Sequence, residues 1–208
     1  MKIALFLFTL LFSAVVWSHP HSFIAMKTTF IGDSQHLTGM KMEWTMDEIT
    51  SADLLYDAGN AGPDDVAWKK LAAQVMANVL GQHYFTELWS GKSRVKFLNL
   101  PQAYQLSRQG NQAVLTFTLL LGEPQPLQAR TYRMQTFDPS YFVDMTYKNP
   151  QTITLDEAVK AHCTVDLHTP QPDDALRQYA LSLDKADAPP ESLDLGQQFA
   201  QTVTLTCH

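Results

Sequence analysis

After its first eighteen residues, the chain of 208 residues has no second long apolar run, and it is short of positive charge. Without Lys2, the 15 Lys and Arg residues fall to 14 against 21 Asp and Glu, a net charge of −7 with neutral His. This balance disfavours nucleic acid and anionic membrane surfaces as partners. Since no later stretch is long enough to span a bilayer, we expect a soluble domain of about 190 residues.

Catalytic motifs are also missing. The chain has no GxSxG, HExxH or P-loop sequence and no visible internal repeat, so we expect a protein that is not an enzyme. It has only two cysteines, Cys163 and Cys207. An even number of cysteines in an exported chain indicates a disulfide, and a thiolate metal site, for which the CxxC spacing is absent, is the alternative.

The first eighteen residues have the pattern of a signal peptide, because Lys2 precedes an apolar run that extends to Trp17. A run of about 15 residues is too short to cross the hydrocarbon core, and no basic cluster follows it. Val16 and Ser18 suit cleavage after Ser18, and no nearby cysteine is available for lipid modification. We therefore expect a signal peptide at 1–18 and a single periplasmic domain at 19–208, within which 151–208 could form a subdomain.

Strand and helix patterns predict an α+β fold: an antiparallel sheet or meander, two helices inserted after the second strand, and a disulfide-tied carboxy-terminal segment. Strands at 22–31 and 35–45 flank a turn and predict a hairpin. One helix begins at Asp47, and a second spans 64–80, with Val66, Leu71, Val75 and Val79 as its apolar stripe. Further strands are predicted at 94–98, 103–108, 112–121, 130–137, 141–148, 152–155, 162–168 and 201–207, and a polar helix at 173–183.

Cleavage after Ser18 would create a metal-chelating amino terminus. His19 would offer its α-amino group and its imidazole, and His21 would add a second imidazole on the same face of an extended chain. These nitrogen donors suit zinc, copper, nickel or cobalt. Pro20 has no amide hydrogen, which excludes the square-planar amino-terminal copper and nickel motif. The alternative is that both histidines are solvated terminal residues.

Three further residues are candidates to complete this site. Asp47 and Glu48 end the second predicted strand and could face the first, and His83 precedes an aromatic pair. Asp47 could instead serve only as a helix cap, and a lone His83 is more often an ordinary surface or core residue.

A second histidine set lies near the cysteines. If the last two strands are antiparallel and the cysteines pair across them, His162 and His208 are directly opposed. A parallel pairing would oppose Thr164 to His208 instead. The alternative to a second metal site is a set of exposed polar residues on a solvent face.

Several local sequences occur together in an order that resembles a bacterial family of unknown function. They are His19–Phe23, Trp44–Glu48, Tyr84–Thr86, Leu115–Leu119, Phe137–Val143 and Val203–Cys207. The family is described as an uncharacterised periplasmic component of ABC-type transport systems, associated with permeases of the nickel/cobalt (NicO) type. The resemblance implies a periplasmic role in transition-metal transport with such an inner-membrane permease as partner. Zinc is the metal that it implies first, with nickel, cobalt and copper open.

The chain departs from that family in the loop between the two helices, where relatives carry an acidic sequence resembling an EF-hand. Here residues 56–65 read YDAGNAGPDD, and Trp68 stands where an EF-hand needs a bidentate Glu, so we expect no calcium site. Two other functions compete with metal transport. One is a copper-dependent redox enzyme that uses His19, and the other is a metal-free module that steadies the permease.

Overall fold

The computed structural model describes residues 20–183, 189–190 and 193–208, and the elements below lie within them. The strands are β1 (Ser22–Gly32), β2 (His36–Met46), β3 (Thr86–Ser90), β4 (Ser93–Val95), β5 (Gln102–Gln109), β6 (Gln112–Pro126), β7 (Thr131–Thr136), β8 (Val143–Tyr147), β9 (Ile153–Leu155), β10 (Cys163–His168) and β11 (Thr202–Cys207). The helices are α1 (Glu48–Ala58), α2 (Val66–Gly81), α3 (Glu157–Lys160), α4 (Asp174–Ser182) and α5 (Leu195–Phe199). Among the described residues, no helix has the length and apolar character needed to cross a membrane.

The first sheet, sheet A, has the strand order β5-β6-β2-β1-β8, and β9 pairs with the far end of β1. The predicted hairpin of β1 and β2 is confirmed, and β6 continues the antiparallel pairing on the other side of β2. In contrast, β8 and β9 both run parallel to β1. The chain therefore returns to its first strand after leaving the sheet, and this return brings residues near 142–144 beside the start of β1.

The second sheet, sheet B, has the order β10-β11-β7-β3-β4, and all of its pairs are antiparallel. The α+β class is confirmed, but the strands expected as one meander are divided between the two sheets. Alternating polarity identifies a strand and its buried face, whereas it does not choose the neighbouring strand. The two sheets meet at the bridge between Phe97 and Leu121.

One apolar core includes residues from both sheets and from α1 and α2. In β1 the even-numbered residues 24–30 are buried and Phe23, Ala25 and Lys27 are exposed, as expected for a strand with one solvated face. The largest fully buried side chains include Trp44, Tyr132, Phe30, Phe117 and Met26. Burial of each large apolar side chain contributes about 1.5–3 kcal/mol.

Both predicted helices pack against sheet A. In α1 the buried Ser51 accepts a hydrogen bond from the Ala113 amide at 2.8 Å, which fixes the helix over the start of β6. In α2 the buried face is formed by Trp68, Leu71, Ala72, Met76 and Val79. The predicted stripe was wrong at Val66, which is 75% exposed because it is the first residue of the helix and lies outside the buried face.

The carboxy-terminal residues contribute to two apolar clusters of the fold, the main core and a smaller second cluster. The disulfide between Cys163 and Cys207 joins β10 to β11, and both cysteines belong to the main core. Helices α4 and α5 form a smaller cluster in which the ring of Tyr141 stacks on Phe199 at 4.1 Å. Gly196 lets α5 approach the preceding turn, because a Cβ atom there would lie 1.7 Å from the Asp138 carbonyl oxygen.

Candidate functional site

The described structure places His21 immediately before β1. Its amide donates a hydrogen bond to the Phe142 carbonyl at 2.9 Å, which continues the parallel pairing of β1 with β8. The His21 ring lies 4.6 Å from the Phe142 ring. His19, the other predicted amino-terminal ligand, lies outside the described residues. The backbone is therefore fixed at His21, two residues after the predicted chelating residue His19.

Asp47 is the cap of α1, as its sequence position allowed. Its carboxylate accepts hydrogen bonds from the Ile49 and Thr50 amides at 2.8 and 2.9 Å, and from the Thr50 hydroxyl at 2.6 Å. It also accepts from the Phe23 amide at 2.7 Å, which joins the helix start to β1. Burial alone raises the pKa of Asp47, but the hydrogen bonds outweigh it and hold that pKa below its usual value. A metal ion at Asp47 would compete with these four donors.

Glu48 is the first residue of α1 and is exposed. A negative charge at this position is favourable for the helix dipole, which gives Glu48 a structural role independent of metal. Its neighbour Asp47 is held beside β1 by the hydrogen bond that the Phe23 amide donates to it. The predicted role of Glu48 as a ligand stays a prediction.

Asp144 is a carboxylate beside the start of β1 that the sequence interpretation missed. It lies directly opposite Phe23 in the parallel register of β1 and β8, so it shares the outer face of sheet A with Phe23 and, by strand alternation, with His21. The side chain is half-buried, and burial raises the pKa of Asp144. Burial, and then the nearby Asp144 carboxylate, raises the pKa of Tyr141 to about 12.

His83 lies in a different place, in the 3₁₀ turn His83–Phe85 after α2. It is exposed and helps to line a pocket of about 410 Å³, to which Arg94 and Lys96 also contribute. Two neighbouring positive side chains disfavour binding of a metal cation through electrostatic repulsion. Within the part of the chain that the structure describes, His83 lies on neither β1 nor β8, so its part in the amino-terminal site stays a prediction.

His162 and His208, the second histidine set, lie opposite each other, as predicted for an antiparallel pair of strands. The cysteines are register partners in β10 and β11, and the His208 amide donates to the His162 carbonyl at 3.0 Å. An open pocket of about 420 Å³ is lined by His162, His208 and also His36 from the start of β2. The Nδ1 atom of His36 lies 3.4 Å from an Asp33 carboxylate oxygen. Three histidines distant in sequence thus share one pocket.

A family model described as "Protein of unknown function (DUF1007)" matches residues 4–207 of the chain. The chain belongs to the DUF1007 family. A protein from Haemophilus influenzae, described only as an uncharacterized protein, is 36% identical over 208 residues, which cover 100% of both chains. No solved structure matches. The resemblance to a family of unknown function is thereby confirmed, whereas the link to zinc and to NicO-type permeases stays a prediction.

Within the described part of this DUF1007 protein, no group of three or more His, Cys, Asp or Glu side chains is arranged to hold a metal ion. Residues 1–19 lie outside that part, so this finding does not extend to the predicted ligand set that contains His19. The pocket that His36, His162 and His208 share is therefore not a preformed metal site.

The missed residue Asp144 had one signal in the sequence of this DUF1007 chain. It is an acidic residue in the middle of a predicted strand that otherwise carries apolar and neutral residues from Tyr141 to Tyr147. A charged residue in such a strand is placed on a solvated or functional face. The strand that lies beside it could not be read from this pattern, because β1 is more than a hundred residues away in the chain.

Proposed function

We propose that this protein is a periplasmic accessory that binds a transition metal, zinc foremost and otherwise nickel, cobalt or copper. In this proposal it is not an enzyme, and it exchanges the metal with an inner-membrane permease of the NicO type. The metal is cargo. Membership of the DUF1007 family supports the transport role only through the resemblance described above, so the chemical argument depends on the amino-terminal end of sheet A.

The observation that carries the proposal is the position of His21 and Asp144 on one face of adjacent parallel strands. The His21 amide is bonded to the Phe142 carbonyl, and Asp144 follows two residues later on that strand. Imidazole nitrogen and carboxylate oxygen are both zinc ligands. His19 would add its α-amino group and its own imidazole if the chain is cleaved after Ser18, so four donor groups could come from the three residues His19, His21 and Asp144.

The surroundings of Asp144 also favour a cation. A half-buried carboxylate loses solvation, and the raised pKa of Asp144 reflects that loss. A positive ion beside it would offset the loss by direct attraction. Asp47 is less suited to be a primary ligand, because its oxygens already accept hydrogen bonds from Phe23, Ile49 and Thr50.

The disulfide between Cys163 and Cys207 supports the choice of compartment, because disulfides persist in oxidising environments such as the periplasm. It also removes both cysteines from the pool of soft metal ligands. Histidine, amine and carboxylate donors then remain, and these suit zinc-class ions.

A zinc titration of the mature protein tests the proposal. Three forms are compared: protein that begins at His19, the same protein with one extra residue before His19, and the His19→Ala/His21→Ala variant. We expect tight binding of one ion to the first form and weaker binding to the second, because the extra residue moves the free amine away. The double variant should lose the site. Equal affinity in all three forms would contradict an amino-terminal site.

A second comparison assigns the carboxylate. Asp144→Asn should weaken zinc binding by about tenfold or more through loss of one ligand, whereas Asp166→Asn on the exposed face of β10 should have no effect. Affinity should also decrease below about pH 6.5, because imidazoles must be neutral and the amine deprotonated to bind metal. If Asp144→Asn binds zinc as tightly as the unchanged protein, Asp144 is not a ligand.

A further inference from the structure

The basic residues of the chain are concentrated in one segment. Between Lys92 and Arg133 there are six Lys and Arg residues and one acidic residue, Glu123. The rest of the chain then holds nine basic residues against twenty acidic ones, so this segment has the opposite charge to the protein as a whole. A local reversal of charge attracts anions to that region from solution.

The fold gathers half of these cations around one open pocket of about 780 Å³, where the two sheets meet. Arg94, Lys96 and Arg130 all line it, and all three are exposed. Glu123 is the acidic side chain among the described residues of its lining. We call this the cationic pocket. Its volume lies within the range of about 300–1,000 Å³ that is typical of small-molecule sites.

The walls of the cationic pocket are held by backbone and side-chain contacts. The Gly122 amide donates to the Lys96 carbonyl at 2.7 Å, and the Leu98 amide donates to the Leu120 carbonyl at 2.9 Å. The Arg94 guanidinium lies 3.0 Å from a Glu87 carboxylate oxygen. This ion pair orients Arg94 and partly neutralises it, which leaves Lys96 and Arg130 as the main sources of positive charge.

The lining is also amphipathic. Ser90, Ser93, Asn99 and Gln125 supply hydrogen-bonding groups, and Val95, Phe97, Leu98 and Pro126 supply apolar surface. Arg94 and Lys96 also line the pocket near His83, so the two pockets adjoin along the segment that contains these two residues. Next to that segment, His83, Tyr84 and Phe85 have left-handed φ angles of 49°, 60° and 50°. Backbone strain of this kind concentrates at functional sites.

We propose that the cationic pocket binds a small organic polycarboxylate. Lys96 and Arg130 would contact its carboxylates, the Ser and amide side chains its polar groups, and Phe97 its carbon skeleton. The concave shape of the pocket favours a small-molecule ligand over a protein partner that would present a flat surface. None of the described residues that line this pocket belongs to the proposed metal site, and its cluster of cations repels free metal ions. Its test therefore does not depend on zinc binding.

Calorimetric titration of metal-free mature protein with citrate tests the proposal, with tricarballylate as a second probe because it lacks the chelating hydroxyl group of citrate. We expect saturable binding of both that weakens with added salt. Lys96→Gln/Arg130→Gln should weaken both by about tenfold or more. Lys69→Gln/Lys70→Gln, which removes the same charge from exposed positions on α2, should leave binding within about twofold.

Any of three results with the small-molecule probes would overturn the proposal. They are absence of saturable binding, equal weakening in the two double variants, and binding of uncharged trimethyl citrate as tight as that of citrate. Tighter binding of a Glu-rich peptide than of either probe would also overturn it, in favour of a protein partner. If Lys96→Gln/Arg130→Gln does not fold, judged by its circular dichroism, Arg130→Gln alone supplies the comparison, with Lys70→Gln as its control.

Discussion

Two carboxylates flank the start of β1, and their surroundings give them opposite properties. Asp47 accepts four hydrogen bonds at the start of α1, and these lower its pKa. Asp144 lies on the other neighbouring strand, where burial raises its pKa. A carboxylate that is already satisfied stabilises the fold, whereas one that has lost solvation is better suited to bind a cation. Asp47 therefore has a structural role and Asp144 is the stronger ligand candidate.

Replacement of Asp47 tests its structural role. Asp47→Ala should lower the free energy of unfolding by about 1–2 kcal/mol at pH 7, because it removes the cap of α1. Asp47→Asn should cost less, since Asn also caps helices. The pKa of Asp47 is lower in the folded protein, so its charge stabilises the fold above the unfolded pKa, and this contribution is lost as pH falls through the folded pKa.

Urea unfolding between pH 7 and about pH 2 measures both effects. The difference between the unchanged protein and Asp47→Asn should shrink as the solution is acidified below about pH 4. Unchanged stability of Asp47→Ala at pH 7 would contradict the assignment of Asp47 as the cap.

At the scale of elements, β10 depends on a single neighbouring strand. Among the described strands, it is the outer strand of sheet B and pairs only with β11, whereas β11 also pairs with β7. Edge strands are held by fewer hydrogen bonds, and the disulfide between Cys163 and Cys207 fastens β10 at one end. The bond therefore secures the outer strand of the sheet rather than its centre.

The disulfide should stabilise this part of the fold strongly. Its cysteines are 44 residues apart, for which loop-closure estimates give about 4 kcal/mol. Cys163→Ala/Cys207→Ala should lower the free energy of unfolding by about that amount, as measured in urea. Hydrogen exchange should increase most in β10 and less in β7. Equal loss of protection in both strands would instead show that the bond stabilises the whole domain uniformly.

At the scale of the whole molecule, the two proposed sites belong to different parts of the surface. The metal proposal concerns the start of β1 in sheet A, and the cationic pocket lies where the Phe97–Leu121 bridge joins the sheets. Opposite local charges suit ligands of opposite sign. Under the two proposals, the protein would bind a metal cation and an organic anion at separate sites.

The metal proposal requires a particular amino terminus. Protein recovered from the periplasm should begin at His19 and contain the disulfide, because the first eighteen residues have the signal-peptide pattern. Intact mass and amino-terminal sequencing measure both properties. Retention of Met1, or two free thiols in non-reduced protein, would remove the basis for the chelating amine.

Local sequence patterns determined the elements of this protein. Alternating polarity predicted the β1–β2 hairpin, and capping and apolar spacing predicted α1 and α2, which the structure confirms. The short elements β3, α3 and α5 were missed, because a run of four or five residues holds too little periodicity to identify an element. The number and context of the cysteines predicted their disulfide, which is confirmed.

Only the tertiary structure decided which elements are neighbours. The parallel return of β8 to β1 places Asp144 opposite Phe23, on the same face of sheet A as His21, and the division into two sheets creates the cationic pocket around Arg94 and Arg130. A strand's own sequence specifies its buried face, but its partner is chosen by the packing of the whole core. The amino-terminal histidines could therefore be identified from the sequence as candidate ligands, while Asp144 on the same sheet face as His21 and the lining of the cationic pocket could not.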